Sequence, residues 1–195
     1  DFYGPRLLGL NENGEYILST TNPDEFEKIG NGLPKGEFGF ANSFMYGQWT
    51  LNVFLRGAWG HDLYNSYRGF YENGDAPSLT WNSVITDKTP TNPLVTSPPR
   101  FNDSYIEDAS FIRLDNMELG YNFKTNSPNL SSLRVYFAAQ NLFTLTNYTG
   151  IDPEVRINDS ENTDGFTTAL SPGIERRNTY FQTRSFTLGV TVNFK

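Results

Sequence analysis

Three carboxylate pairs have the residue types and spacing that could do chemistry: Glu107-Asp108, Asp115 with Glu118, and Asp152 with Glu154. Two carboxyl groups about 5–9 Å apart, one of them kept protonated by burial, would suit glycoside hydrolysis. Loop carboxylates more often cap turns or face solvent. His61 is the single histidine, and cysteine is absent. One histidine without a thiolate beside it makes a poor transition-metal site, and no serine motif offers His61 a nucleophile to activate. Asn11, Asn13 and Gly14 sit where a calcium loop would place them, but Gly9 stands at the first ligand position and no bidentate Glu closes the loop. Asp159, Glu161 and Asp164-Gly165 resemble such a loop out of register. The expectation is no catalytic residue, no metal and no cofactor; the chain does not read as an enzyme.

Binding is the chemistry that remains. Aromatic side chains gather in the irregular stretches: Tyr64, Tyr67, Phe70, Tyr71 and Trp81 in one, and Tyr148, Phe166, Tyr180 and Phe181 in another. Aromatic faces stack on sugars and peptides, and loops on a rigid scaffold carry binding. Tyr64, Tyr67, Trp81, Tyr148 and Phe166 are therefore the candidate ligand-binding residues. The competing reading is that they pack the loops on themselves or sit at a headgroup boundary.

The elements that would hold these loops are strands. Arg184 to Lys195 alternates without a break, with Phe186, Leu188, Val190, Val192 and Phe194 on one face and Ser185, Thr187, Gly189, Thr191 and Asn193 on the other. Strand signals also run from Gly36, through a tight turn at Gly47-Gln48, to a second strand in which Trp49, Leu51, Val53, Leu55 and Trp59 share a face. Tryptophan at both ends of that face is the pattern of two interfacial girdles, because indole settles where headgroups meet hydrocarbon. Signals resume near Ser110, where Met117, Leu119, Tyr121 and Phe123 alternate with polar residues. Ile112 and Leu114 lie in the opposite register, which predicts a bulge near residues 113–116. After a short turn at Thr125–Leu130 comes a strand from Ser131 to about Thr144.

Residues 1–35 read as a long loop, and 60–106 and 147–183 as two more. Short turns thus fall at one end of the strands and long connections at the other, as in outer-membrane barrels. No run of about 20 apolar residues exists for a transmembrane helix. Mean hydropathy is −0.51 with 15% aromatics, which a barrel permits because its strands alternate. The net charge of −7 argues against a nucleic-acid partner. Asp1-Phe2-Tyr3 is neither a start methionine nor a basic leader, so the chain is expected to be a piece of a longer polypeptide.

Several runs resemble the late barrel of SusC/RagA-type TonB-dependent transporters of Bacteroidetes. They are Asn42-Ser43-Phe44 through Trp49 to Asn65, Ala109 to Tyr121, Leu133-Arg134-Val135-Tyr136 into Gln140-Asn141-Leu142-Phe143-Thr144, Tyr148-Thr149-Gly150-Ile151-Asp152-Pro153-Glu154, and the terminal Arg184 to Gly189. Gly189 and Phe194 resemble the terminal assembly signal of such barrels. The resemblance implies an all-β, antiparallel transmembrane barrel segment, about five strands of a barrel of about 22. Residues 1–35 would be an extracellular loop and 36–195 the C-terminal strands and loops, closing with 184–195. It implies outer-membrane uptake of a glycan or oligopeptide. The implied partners are the rest of the barrel and its plug domain, a SusD-like surface lipoprotein, TonB and the barrel-assembly machinery. Arg56, Arg134 and Gln140 on the polar face would then contact the plug. Five strands alone leave unsatisfied backbone edges in lipid, which again points to a fragment. The alternatives are another Bacteroidetes outer-membrane barrel, for secretion or adhesion, or a soluble carbohydrate-binding β-domain.

Overall fold

The computed structural model describes residues 1–72, 84, 86–88, 95, 100–154, 173–175 and 182–195. In chain order the strands are β1 (Phe2–Gly4), β2 (Leu7–Leu10), β3 (Tyr16–Leu18), β4 (Glu27–Gly30), β5 (Gly36–Tyr46), β6 (Trp49–Trp59), β7 (Asp62–Asn65), β8 (Ile106–Asp108), β9 (Phe111–Phe123), β10 (Leu130–Thr146), β11 (Ile174–Glu175) and β12 (Ser185–Phe194). A short α-helix, α1, covers Ser66–Tyr71. The chain divides into two compact units, one of 36–59, 111–146 and 181–195, the other of 1–35, 60–110 and 147–180.

The first unit is a five-stranded antiparallel sheet in the order β12-β10-β9-β6-β5. Its register lines up the alternating apolar residues into rows across the strands. One row is Tyr46, Trp49, Tyr121, Val135 and Val190, and the next is Phe44, Leu51, Leu119, Phe137 and Leu188. A one-residue slip would turn every such side chain to the other face, so this register is strongly specified. The turn between β5 and β6 is the pair Gly47-Gln48, where Gly47 takes a left-handed φ of 60° that a two-residue hairpin favours.

The parity break in β9 is repaired as the sequence predicts. Between Asn116, opposite Phe54, and Leu114, opposite Leu55, the residue Asp115 is left over. That extra residue returns Leu114 and Ile112 to the apolar face, opposite Phe143 and Leu145 of β10. β10 follows the bend with Asn141 at φ 51°, a left-handed conformation that Asn tolerates better than most residues. Much of the apolar face stays exposed, with Phe40 53% accessible, Phe186 59%, Leu188 76% and Phe194 75%, while Leu114 and Ala139 on it are buried.

The second unit is built of small pieces. β1 pairs with β4, β2 with β3, and β11-β7-β8 form a three-stranded sheet in which β11 runs parallel to β7. The span 1–35, expected as one loop, thus contains four short strands, β7 and α1 lie inside the expected loop 60–106, and β8 begins at its last residue. The periodicity is illegible there because strands of three or four residues are too short to show alternation. The Asn11–Gly14 turn closes the β2–β3 hairpin. Its Asn11 carboxamide oxygen accepts from the amides of Asn13 and Glu15, both at 2.9 Å, so the calcium-like residues serve as a turn. The unit's apolar core gathers Leu63, Ala109 and Tyr148.

Candidate functional site

Two buried carboxylates organise the loop unit. Glu107 on β8 accepts from Arg68 Nη1 at 2.7 Å, from Lys88 Nζ at 2.9 Å, from Asn65 Nδ2 at 3.2 Å, and from both the hydroxyl and the amide of Thr149. Burial alone would oppose its ionisation. The hydrogen bonds from Arg68, Thr149 and Lys88 outweigh that and hold its carboxyl down at about 2. Arg68 reaches it from α1, whose N-terminus is capped by the Asn65 carboxamide, and pairs with Glu72 one turn on at 2.9 Å.

Glu175 on β11 is the second. Its Oε1 accepts from the amides of Ile151 at 2.9 Å and Asp152 at 2.8 Å, and its Oε2 from the Tyr148 hydroxyl at 2.6 Å. Burial pushes this carboxyl above its ordinary value, against the pull of those donors. Glu175 thus holds both ends of the turn Tyr148–Asp152 and Glu107 holds Thr149 within it. Gly150 is required between them, because a Cβ there would stand 2.2 Å from Glu175 Oε2 and 2.4 Å from the Tyr148 ring. Asp152 in turn accepts from the amide of Glu154 at 3.0 Å.

Each carboxylate pair singled out for chemistry is thus committed to structure. Glu107 is buried among cations, while Asp108, the adjacent residue, caps Ser110 at 2.9 Å and is exposed. Asp115 pairs with Arg56 at 3.1 Å and Glu118 with Arg134 at 2.6 Å on the polar face of the sheet. His61 is buried with Nε2 3.1 Å from the Pro153 carbonyl. Among the described residues, no three metal-binding side chains come together.

The candidate ligand-binding aromatics separate. Tyr148 is buried in the core, and Tyr64 is half-buried against Phe101 and Tyr105, with ring centroids 5.4 and 6.4 Å away. Tyr67 stacks on Tyr71 at 6.2 Å and stays half-exposed. Trp81 and Phe166 lie outside the described residues. Among the described residues of 60–106, the exposed aromatics are Phe70 and Phe101, at 43% and 40%. The sequence reading missed Arg68, Glu72 and Glu175. The one available signal was Asn65 just before Ser66, a cap for a helix carrying Arg68 and Glu72 at i and i+4.

The sheet presents two unlike faces. On the polar face Arg134 bonds Glu118 and, at 3.2 Å, the Thr50 hydroxyl, and lies 5.6 Å from the Tyr136 ring. Gly120 and Gly189 lie beneath this cluster. A Cβ on Gly189 would stand 2.3 Å from the Tyr136 ring, and one on Gly120 2.7 Å from Arg134. On the apolar face Trp49 and Trp59 mark the two ends of β6, half-exposed at 49% and 50%.

These features have counterparts in known proteins. No family model matches the chain. TonB-dependent receptor P3 of Formosa agariphila is 28% identical over 201 residues, which is 98% of this chain and 19% of that protein. TonB-dependent receptor SusC of Bacteroides thetaiotaomicron is 35% identical over 96 residues, 47% of this chain and 8% of that protein. The RagAB peptide transporter superposes with a TM-score of 0.73 at 22% identity, over 98% of this chain and 22% of that one. The chain is similar to a segment of SusC/RagA-type TonB-dependent transporters. It spans a fifth or less of the length of the relatives it matches. Its mostly β fold, built around an antiparallel sheet, fits the one the resemblance implied, and these relatives are named as receptors and transporters rather than enzymes.

Proposed function

We propose that this chain is the C-terminal barrel wall and loop segment of an outer-membrane, TonB-dependent importer of a large nutrient. Residues 36–195 supply strands and loops, and residues 1–35 belong to an extracellular loop. The observation that carries this is the sheet itself. Strands of 10 to 17 residues present rows of exposed apolar side chains on one face and ion pairs on the other. Their short turns lie at one end, at residues 47–48 and 124–129, and their long connections at the other. Strands of about 9 to 11 tilted residues suffice to span the hydrocarbon. A soluble sandwich would cover its apolar face with a second sheet; a barrel wall leaves it to lipid.

The edges β5 and β12 then pair with further strands of the same polypeptide, because unpaired edges are not tolerated in hydrocarbon. The plug is the partner of the polar face, including Arg56, Arg134 and Gln140. A SusD-like lipoprotein covers the loops, TonB acts through an upstream part, and the barrel-assembly machinery reads Gly189 and Phe194. Substrate meets the loop aromatics, with Tyr67 the most available of the candidate set. Glycan and oligopeptide both fit, and the likeness to a peptide transporter favours neither on this segment's own residues.

The test takes the complete polypeptide carrying this chain. Extraction that requires detergent, an intact mass about five times the 22.1 kDa of this segment, and uptake abolished by a protonophore are expected. Release into plain buffer at 22.1 kDa would overturn the reading.

A further inference from the structure

Within the loop unit the connections 1–35, 60–110 and 147–154 are seamed in pairs. The Asp62 amide donates to the Asn31 carbonyl at 2.7 Å, and the Asn31 amide returns a bond to Asp62 Oδ2 at 2.8 Å. The Thr149 amide donates to Glu107 at 3.0 Å, and His61 Nε2 lies 3.1 Å from the Pro153 carbonyl. We propose that Gly173–Glu175 is a strap that closes these pairwise seams into one cooperative body. The ground is that this three-residue segment meets all three connections at once.

At one end Gly173 fits against 1–35, where a Cβ would stand 2.6 Å from the Phe2 ring and 2.7 Å from Gly32 Cα. Its φ of 92° is one that glycine alone adopts freely. In the middle the strap lies along β7. The Gly173 carbonyl accepts from the Tyr64 amide at 2.7 Å, Ile174 and Glu175 pair in parallel with Tyr64 and Asn65, and the Ser66 hydroxyl donates to the Glu175 carbonyl. At the other end the Glu175 carboxylate, in a residue only 1% exposed, holds Tyr148, Ile151 and Asp152. A strand of two residues has too little pairing to hold itself, so the glycine fit and the carboxylate must seat it. Withdrawal would strand the three donors of the turn at once and empty the space beside Phe2 and Gly32, which makes seating all-or-none. Segments joined in this way open as a unit. In an importer, a ligand or partner held by one connection would then be held by all three. The strap itself is argued from contacts within the loop unit and stands without that reading.

Hydrogen exchange in the complete polypeptide carrying this chain tests the strap, and it needs no transport to read. Gly173→Ala and Glu175→Ala unseat the segment from opposite ends. Each is expected to speed exchange several-fold at three places together: β4, β7 and the turn 148–152. Exchange across β6 stays as in the wild type. The decisive amides are those of β4 in Glu175→Ala, because the described partners of that carboxylate all lie in 148–152. Faster exchange confined to 148–152 and 173–175, with β4 unchanged, would show that the pairwise seams hold the body without the strap, and the proposal fails. A variant that also loses β6 protection has lost the whole fold, and the other variant then decides.

Discussion

The hydroxyl of Tyr148 donates to Oε2 of Glu175 at 2.6 Å, with both residues buried. Twenty-seven residues separate them, so this one bond ties the turn after residue 146 to β11 within the loop unit. With the Ile151 and Asp152 amides on Oε1, a single carboxylate shapes the turn that the sequence singles out only as a family-like motif.

Truncating that carboxylate strands three donors. Glu175→Ala should destabilise the loop unit by about 2–4 kcal/mol, since buried donors lose their partner, while Tyr148→Phe removes one bond and should cost about 1–2 kcal/mol. Hydrogen exchange at Ile151 and Asp152 in the complete protein reads both. Unchanged protection in Glu175→Ala would show that the turn holds without the clamp.

The two carboxylates should respond to pH with opposite sign. Glu107 is held down at about 2, so its stabilisation is present above the ordinary 4.5 and fades as pH falls toward 2. Glu175 is raised, so its contribution is complete below 4.5 and is lost as pH rises through the raised value. Protection of Thr149 and Ile151, corrected for intrinsic exchange, should lose its acid arm in Glu107→Gln and its decline toward neutrality in Glu175→Gln. Parallel pH curves for the two variants would contradict the assignment.

Gly189 lies under the ring of Tyr136, with a hypothetical Cβ 2.3 Å away. Gly189→Val should therefore lower the urea midpoint of the detergent-solubilised barrel by an amount equivalent to about 1–3 kcal/mol. Tyr136→Ser added to it should recover much of the loss. If the two changes are simply additive, the ring and the glycine are not coupled.

Arg56 and Arg113 lie directly opposite one another on β6 and β9, an unfavourable pairing of like charges. The bulged Asp115 sits against Arg56 at 3.1 Å, and Arg113 donates to the Thr144 hydroxyl at 3.0 Å. Asp115→Asn should destabilise by about 1 kcal/mol, and Asp115→Asn with Arg56→Gln by less than the single change. A double-mutant cycle in low salt checks it, and a null coupling energy would remove the bulge's electrostatic role.

The long strands were legible in the sequence because a strand repeats every second residue and the register rewards keeping one apolar face. Trp49 to Trp59, the bulge at Asp115 and the closing strand could all be read from parity alone. The loop unit could not. Its strands are three or four residues long, and its stability comes from charges brought together over long separations. Glu107 meets Arg68 39 residues away and Thr149 42 residues away. No local pattern encodes such meetings, because burial decides whether a carboxylate is a solvated surface group or a clamp. The sequence by itself determined the faces of the sheet and the ends at which its turns and long connections lie. Only the tertiary structure decided that Tyr148 is a core residue, that Glu175 matters, and that Glu107 and Asp108 serve opposite sides of one strand.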